Sequence, residues 1–456
     1  MAYTGERSDV VTQPQSGFLK RVDDYFEISK KGSDLKTEIL AGLSTFLALS
    51  YIFVVNPAIL TKAGIDPSVS LFATVAISAA ATLVMGFWAR LPFVVSTGME
   101  MNAYVAFFAV GGLGFVWQQA LGMVFWSSVL MILLTVTSVR EKIIDSIPDS
   151  LKVALSFSVG VFLVLIAGSI GGILKYEGLT LKGFGSLVSP NALALYVGLA
   201  LVLLFDKLKV IGGVLLSILI TSGLYHLCQA NGWLGFAPAG PSTGPSFSMS
   251  MFDGLFRLDW TIILDPRAIS VILVLFVLDF YGSVAKFIGL TLNTPIMENG
   301  RLPRRTRALL VDGVGTTGAS FLGTTSVVTF VESAVGIGMG ARTGLTAVVC
   351  GLLMLACFVA FPLVQYIPVA ATTGALVYVG LKLCPSKEQF MDFSTLDKIA
   401  LASMPLITIA TFAIDKAMLG GFAIFVIGSF IIGQRPNPFL IGSTVLLALS
   451  VALQVW

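Results

Sequence analysis

Several ionisable side chains interrupt apolar runs of this sequence: Glu100 in "STGMEMNAYVAFF", Asp279 and Lys286 in "VLFVLDFYGSVAKFIGL", and Glu332 in "TSVVTFVESAVG". At a bilayer centre each charge costs roughly 2.5 to 3.5 kcal/mol on insertion scales, so each needs a partner or a task. A carboxylate in such a place can accept N–H donors of a polar solute, or cycle a proton. An ammonium can offset a carboxylate, or favour a ligand that carries negative charge.

Each residue has more than one reading. Glu332 either binds substrate N–H groups or a proton, or caps the half-helix that follows it. Glu100 has the same two readings and a third, an internal salt bridge. Asp279 and Lys286 stand seven residues apart, which on a helix is one face and about 10 Å along the axis, with Ser283 between them. They are expected to be neutralised, either by each other or in a cross-helix set with Glu100 or Glu332, or to touch ligand directly. In particular, Glu100 is expected to face Lys286 across a central site. Asn102 beside Glu100 offers both a donor and an acceptor. Tyr104, Phe280, Tyr281, Thr325 and Thr329 lie close enough in sequence to stack on, or hydrogen-bond, a flat heterocycle.

Other chemistries lack their residues. No Walker A loop, nucleophile triad or zinc pattern occurs, His226 is the only histidine, and the four cysteines show no CxxC spacing. No metal or cofactor is therefore expected, and no enzyme activity; proton or other cation coupling would supply the energy.

The elements that must position these residues are membrane spans. Of 456 residues 56% are hydrophobic and 12% charged, and the mean hydropathy is +0.92, a composition for a polytopic membrane protein with lipid around it. The net charge of +3 gives topology and points to no nucleic-acid partner. Residues 1–36 lack the apolar core of a signal peptide and read as a cytoplasmic lead-in, with "FLKRVDDYFEI" an interfacial helix. Spans are expected near 37–60, 68–90, 94–112, 115–137, 151–173, 189–205 and 210–229, then 267–290, 306–323, 324–341, 343–363, 368–384, 398–430 and 438–455. That is about fourteen, with 398–430 interrupted around Asp415-Lys416 and countable as two. Arg90, Arg140, Lys142, Lys207, Lys209, the 301–307 arginines, Arg342, Lys382, Lys387 and Lys398 then fall on the N-terminal side, with both termini cytoplasmic. Arg435 is the one poor fit.

Two spans have too little clean helix. Phe93–Thr97 and Thr324–Phe330 are rich in β-branched residues, and helix-compatible sequence starts only after them, near Glu100 and Glu332. Extended backbone at membrane depth is tolerated where protein or a cavity surrounds it. These spans are third in each set of seven, which suggests two inverted repeats, about 37–229 and 267–455, and a secondary transporter with a central site.

The blocks "TEILAGLSTFLALSYIFVVNPAIL", "GMEMNAYVAFF" and "GRLPRRTRALLVDGVGTTGASFLGTTSVVTFVESAVGIGMGARTGLTAVVCGLL" resemble the nucleobase:cation symporter 2 superfamily, and within it the AzgA-like purine permeases. The most specific parts are 323–333 and 340–346, and the resemblance runs from about Lys36 to Val455. It implies an all-α fold of fourteen segments in two inverted repeats, with a core of about 37–137 and 267–363 and a gate of about 151–229 and 368–455. It also implies proton-coupled, elevator-type transport of a purine such as adenine, guanine, hypoxanthine or xanthine, a homodimer, and an inner or plasma membrane location. Glu332 matches the family's base-binding carboxylate, and Asn102-Ala103 its N-A pair. Two departures stand out: Glu100 occupies a glycine position, and in the eighth segment Gly282, Ala285 and Lys286 fall at an Asp, a Gly and a Thr, with Asp279 one turn earlier. The same fold carrying an anion or a charged heterocycle such as urate, because of Lys286 and Glu100, is the alternative reading. A membrane sensor that does not transport is a second.

Overall fold

The structure, a computed structural model, describes residues 17–137, 148–177, 180–233, 248–291, 294–298, 302–364 and 366–453. Arg140, Lys142 and Arg301 of the expected basic side lie outside them. Helix dominates because, in hydrocarbon, a backbone meets its own N–H and C=O needs only in a helix or a closed barrel.

The interfacial helix is present as α1 (Gly17–Phe26). Phe26 at its end and Ile28 just beyond bury against Leu345 and Val348, and the Tyr25 hydroxyl donates to the Phe87 carbonyl at 2.9 Å. The first span is α2 (Leu35–Leu49) followed by α3 (Ile52–Leu60), and the second is α4 (Pro67–Val84). The third begins as strand β1 (Val95–Thr97) and turns helical at α5 (Met99–Ala103), which continues in wider turns to Val110. Helices α6 (Trp117–Val136), α7 (Asp149–Ile170), α8 (Pro190–Lys207) and α9 (Gly213–Ala230) complete the first half, with the hairpin β2 (Leu174–Glu177) and β3 (Thr180–Phe184) between α7 and α8.

The second half repeats the order with α10 (Pro266–Thr291), α11 (Arg305–Leu322), strand β4 (Val327–Thr329), the half-helix α12 (Ser333–Gly338) and α13 (Gly344–Val364). It ends with α14 (Thr373–Lys382), the short α15 (Lys387–Asp392), α16 (Thr395–Thr411), α17 (Ile414–Ile431) and α18 (Pro438–Leu453). Among the described residues, seven helical segments of at least 18 residues are apolar enough to cross a membrane.

The inversion is visible atom by atom where the two strands meet. β1 and β4 pair antiparallel, with Val95 opposite Thr329, Ser96 opposite Val328 and Thr97 opposite Val327. The ladder extends equally at both ends, Gly98 N–H donating to the Ser326 carbonyl and Phe330 N–H to the Val94 carbonyl, each at 2.9 Å. A two-stranded sheet leaves two outer edges, and a polar edge in an apolar interior is costly. One threonine per half closes each edge. Thr82 of α4 accepts from Val95 N–H at 3.0 Å and donates to the Val95 carbonyl at 2.8 Å; Thr316 of α11 does the same for Val327 at 3.0 and 3.1 Å.

Packing separates the helices into two groups. α13 packs on α2 and α4, and α11 on α4 and α6, while α7 packs on α14 and α16, and α14 on α8. At the α7–α14 crossing a Cβ on Gly160 would stand 2.4 Å from the Gly380 carbonyl oxygen, so only glycine allows that approach.

One expected span differs. The 398–430 stretch is two antiparallel helices, α16 and α17, and the break is at Phe412, whose φ is 50°, rather than at Asp415-Lys416. Gly428 packs on Leu396 and Gly421 on Met404, which fixes the antiparallel register. The return of the chain brings the turn with Arg435 to the end of the bundle where α16 starts.

Candidate functional site

The two broken segments bring two carboxylates to one cavity, and each carboxylate has a different partner. Glu100 lies in the first turn of α5, and Lys286 reaches it from α10, Nζ to Oε1 at 2.7 Å. Both side chains are about one-sixth exposed, at 16% and 17%, so the pair faces the cavity while shielded from bulk water. Glu332 directly precedes α12. The Tyr51 hydroxyl, at the joint between α2 and α3, donates to its Oε1 at 2.7 Å. Its Oε2 is buried and has no hydrogen-bond partner among the described residues.

The cavity they share measures about 360 Å³ and is lined by Tyr51, Glu100, Gly282, Lys286, Phe330 and Glu332 on one side. Lys152 and Ser156 of α7 with Val379 and Leu383 form the opposite wall. A small-molecule site usually has about 300–1,000 Å³, mostly apolar walls and a few convergent polar groups, which this one matches. The cavity thus lies between the two packing groups of helices. A second cavity of about 580 Å³ borders it and shares Val331, Glu332, Ala334, Val379 and Leu383. Asp206, Lys209, Tyr378 and Lys382 line the second cavity, and there Asp206 accepts from Tyr378 at 2.6 Å and from Lys382 at 3.0 Å. Glu332 therefore stands where the two spaces join.

The expected salt bridge between Glu100 and Lys286 is present. The remaining singled-out residues sit behind the cavity wall. Asn102 is buried and donates through Nδ2 to Asn56 Oδ1, and Asn56 in turn donates to Thr74 at 2.6 Å and Thr324 at 3.2 Å. Asp279 accepts from Ser283 at 3.3 Å and Thr316 at 3.4 Å. Thr329 donates to Asp312 at 3.3 Å. Phe280 packs on Phe276 at a centroid distance of 5.2 Å, and Tyr104 stacks on Phe108 at 4.8 Å. The side chains of Tyr281 and Ala285 lie outside the described residues. Gly282 does line the cavity, and a Cβ there would meet open space.

The sequence reading passed over Tyr51, Lys152 and two buried carboxylates. Glu38 accepts from Arg342 N–H at 2.8 Å and from the Thr346 hydroxyl at 2.6 Å, so it ties α2 to the 340–346 block. Asp312 holds Thr329. A signal for Tyr51 existed: a phenol next to a helix joint in an apolar run, five residues before Asn56-Pro57.

A family model described as "Permease family", of the xanthine/uracil permease type, matches residues 36–414. An adenine permease of Escherichia coli, AdeP, is 34% identical over 81% of this chain and 81% of its own length. A guanine/hypoxanthine permease of the same species, GhxP, is 31% identical over 91% of this chain and 92% of its own length. The transmembrane domain of a cyanobacterial bicarbonate transporter, BicA, superposes with a TM-score of 0.62 over 85% of this chain and 97% of that domain, at 14% identity, which is a likeness of fold. The chain is an integral membrane protein of transporter type, not an enzyme, and belongs to this permease family, the nucleobase:cation symporter 2 group that its 323–333 and 340–346 blocks resemble.

Proposed function

We propose that this protein is a secondary active transporter of a purine nucleobase, with Glu332 as the group that takes the base. The observation that carries this is the buried, unpartnered Oε2 of Glu332 at the junction of two cavities. A buried acceptor left without a donor costs about 1–3 kcal/mol, which a ligand N–H would recover. The relatives named as adenine and guanine/hypoxanthine permeases support a purine as that ligand.

Transport proceeds by an elevator-type displacement of the core, about 37–137 and 267–363, against the gate, about 151–229 and 368–455. The cavity lies between these groups, so its two walls separate as they slide. Proton movement on Glu332 drives uptake, because Glu100 already has its cation in Lys286 and Glu332 has none within bonding distance among the described residues. The N-terminus faces the cytoplasm of an inner or plasma membrane, and the protein works as a homodimer. An anionic substrate is the weaker reading: the ammonium that would attract it is held by Glu100, and an anion would also meet Glu332.

The test is uptake of labelled hypoxanthine, guanine and adenine into proteoliposomes with and without an imposed proton gradient. The expected result is saturable, gradient-driven uptake of at least one purine that Glu332→Ala abolishes. Uptake unaltered by that substitution would remove Glu332 from its role, and gradient-independent uptake would remove proton coupling.

A further inference from the structure

The Glu100–Lys286 pair does more than cancel its own charge. An ammonium has three donors in a tetrahedral spread, and Glu100 takes one at 2.7 Å. The remaining N–H groups belong to a side chain that lines the same cavity as the open oxygen of Glu332. On the wall that holds both broken segments, Glu332 offers an open acceptor and Lys286 its remaining donors, beside the Glu100 carboxylate that aims it. The second cavity-lining ammonium, Lys152, bonds Asp149 at 2.8 Å and stands on the opposite wall, across the cavity from Glu332 and Lys286.

Purines differ at the edge a donor would meet. A 6-oxopurine presents two acceptors side by side, O6 and N7, and lysine and arginine pair with that edge in other settings. A 6-aminopurine presents a donor, the N6 amine, beside N7. An ammonium meeting that amine sets two donors against each other, and the acceptor beside them, the Glu100 carboxylate, is already bonded to Lys286. The ring N–H groups of either purine satisfy Glu332, so Lys286 is where they are told apart. Overall identity does not separate them, since the adenine and the guanine/hypoxanthine relatives stand at 34% and 31%.

We propose that Lys286, aimed by its bond to Glu100, makes this site select 6-oxopurines such as hypoxanthine and guanine over adenine, by donating to the O6/N7 edge while Glu332 accepts from a ring N–H. This rests on the purine reading given above. Gly282, one turn before Lys286, contributes space: it lines the cavity and a Cβ there would meet nothing within 4 Å.

The experiment measures equilibrium binding of hypoxanthine, adenine and 7-deazahypoxanthine to the full chain in detergent, by calorimetry. Hypoxanthine is expected to bind roughly tenfold or more tighter than adenine, and removal of the N7 acceptor in the deaza analogue to cost roughly tenfold. In the double variant Glu100→Gly with Lys286→Thr, which removes both charges together, the preference should shrink to within about threefold. Adenine binding as tightly as hypoxanthine, no loss with the deaza analogue, or an unchanged preference in the variant would overturn the assignment and leave the purine reading intact. Absence of binding by every purine to the unaltered protein would overturn both. The analogue comparison needs no variant, so it decides even where the double substitution does not fold.

Discussion

Glu100 and Glu332 occupy equivalent places in the two repeats, each where an extended strand gives way to a half-helix, yet they have opposite partners. Glu100 has an ammonium at 2.7 Å; Glu332 has a neutral phenol at 2.7 Å and a second oxygen with no partner among the described residues. A carboxylate matched by a cation is complete in the resting protein and needs nothing from outside. A carboxylate matched on one oxygen by a neutral donor is incomplete, and a ligand or a proton finishes it. The inverted repeat thus supplied two similar acids, and side chains from α3's joint and from α10 divided them into a fixed one and a responsive one.

The largest effect that tests this division is on stability. Lys286→Met leaves Glu100 buried without its cation, and breaking a buried pair from one side costs about 3–5 kcal/mol. The double variant Glu100→Gly with Lys286→Thr removes both ends and should lie far closer to the unaltered protein in apparent melting temperature. Equal melting temperatures for the single and double variants would mean that the bridge contributes nothing and that the two acids are alike.

Next comes the ligand side. Glu332→Gln keeps shape and removes charge, so a charge-assisted hydrogen bond to the base becomes a neutral one; the loss is the difference between the two, about 1–1.5 kcal/mol, or roughly tenfold in affinity. Melting temperature without ligand should hardly move. A variant that melts much lower but binds purine normally would show Glu332 to be the structural acid and Glu100 the functional one, reversing the comparison.

The broken segments were legible in the sequence because β-branched runs at Phe93–Thr97 and Thr324–Phe330 contradict helix, and because a lone acid follows each. The Glu100–Lys286 pair was legible for a related reason: opposite charges in apolar runs have few ways to be satisfied. Position in three dimensions was not. Asn102, two residues from Glu100, turns into a network with Asn56, Thr74 and Thr324, since a 100° step per residue carries it around the helix. Asp279 shares a helix face with Lys286 in projection, yet it is held by Thr316 and Ser283 behind the strand. Glu38 stood at the start of a span, where an acid is ordinary at a helix N-terminus, and its reach to Arg342 and Thr346 crosses some 300 residues of sequence. The α16–α17 turn was misplaced because Asp415-Lys416 was the visible polar break, whereas the chain bends at Phe412, an apolar residue in a left-handed conformation.

The two strand edges offer a finer version of the same comparison. Thr82→Val and Thr316→Val each strip one strand residue of a donor and an acceptor, at about 1–3 kcal/mol. The single Thr316 hydroxyl proton is shared between the Val327 carbonyl at 3.1 Å and Asp279 at 3.4 Å, and the hydrogen bonds of Thr82 include no acid among the described residues. Thr316→Val should therefore be the more destabilising, as read from midpoints of thermal unfolding. Equal losses would indicate that the Asp279 contact adds nothing beyond the shared edge.

The smallest effect isolates the phenol. Tyr51→Phe removes one hydrogen bond to Glu332 and keeps the ring, a net change of about 1 kcal/mol, or roughly fivefold in binding. Its direction is informative. If the phenol only orients the carboxylate, Oε1 loses its donor, the side chain gains rotational freedom, and the purine binds more weakly while the number of ligand hydrogen bonds stays the same. If the phenol instead competes with the ligand for Glu332, Phe at position 51 frees a second acceptor and binding tightens. The structure favours weakening, because Tyr51 holds Oε1 and leaves Oε2 to the cavity; calorimetry on Tyr51→Phe with the best-bound purine separates the two, and a tighter complex would mean that the open oxygen is not the one the ligand uses.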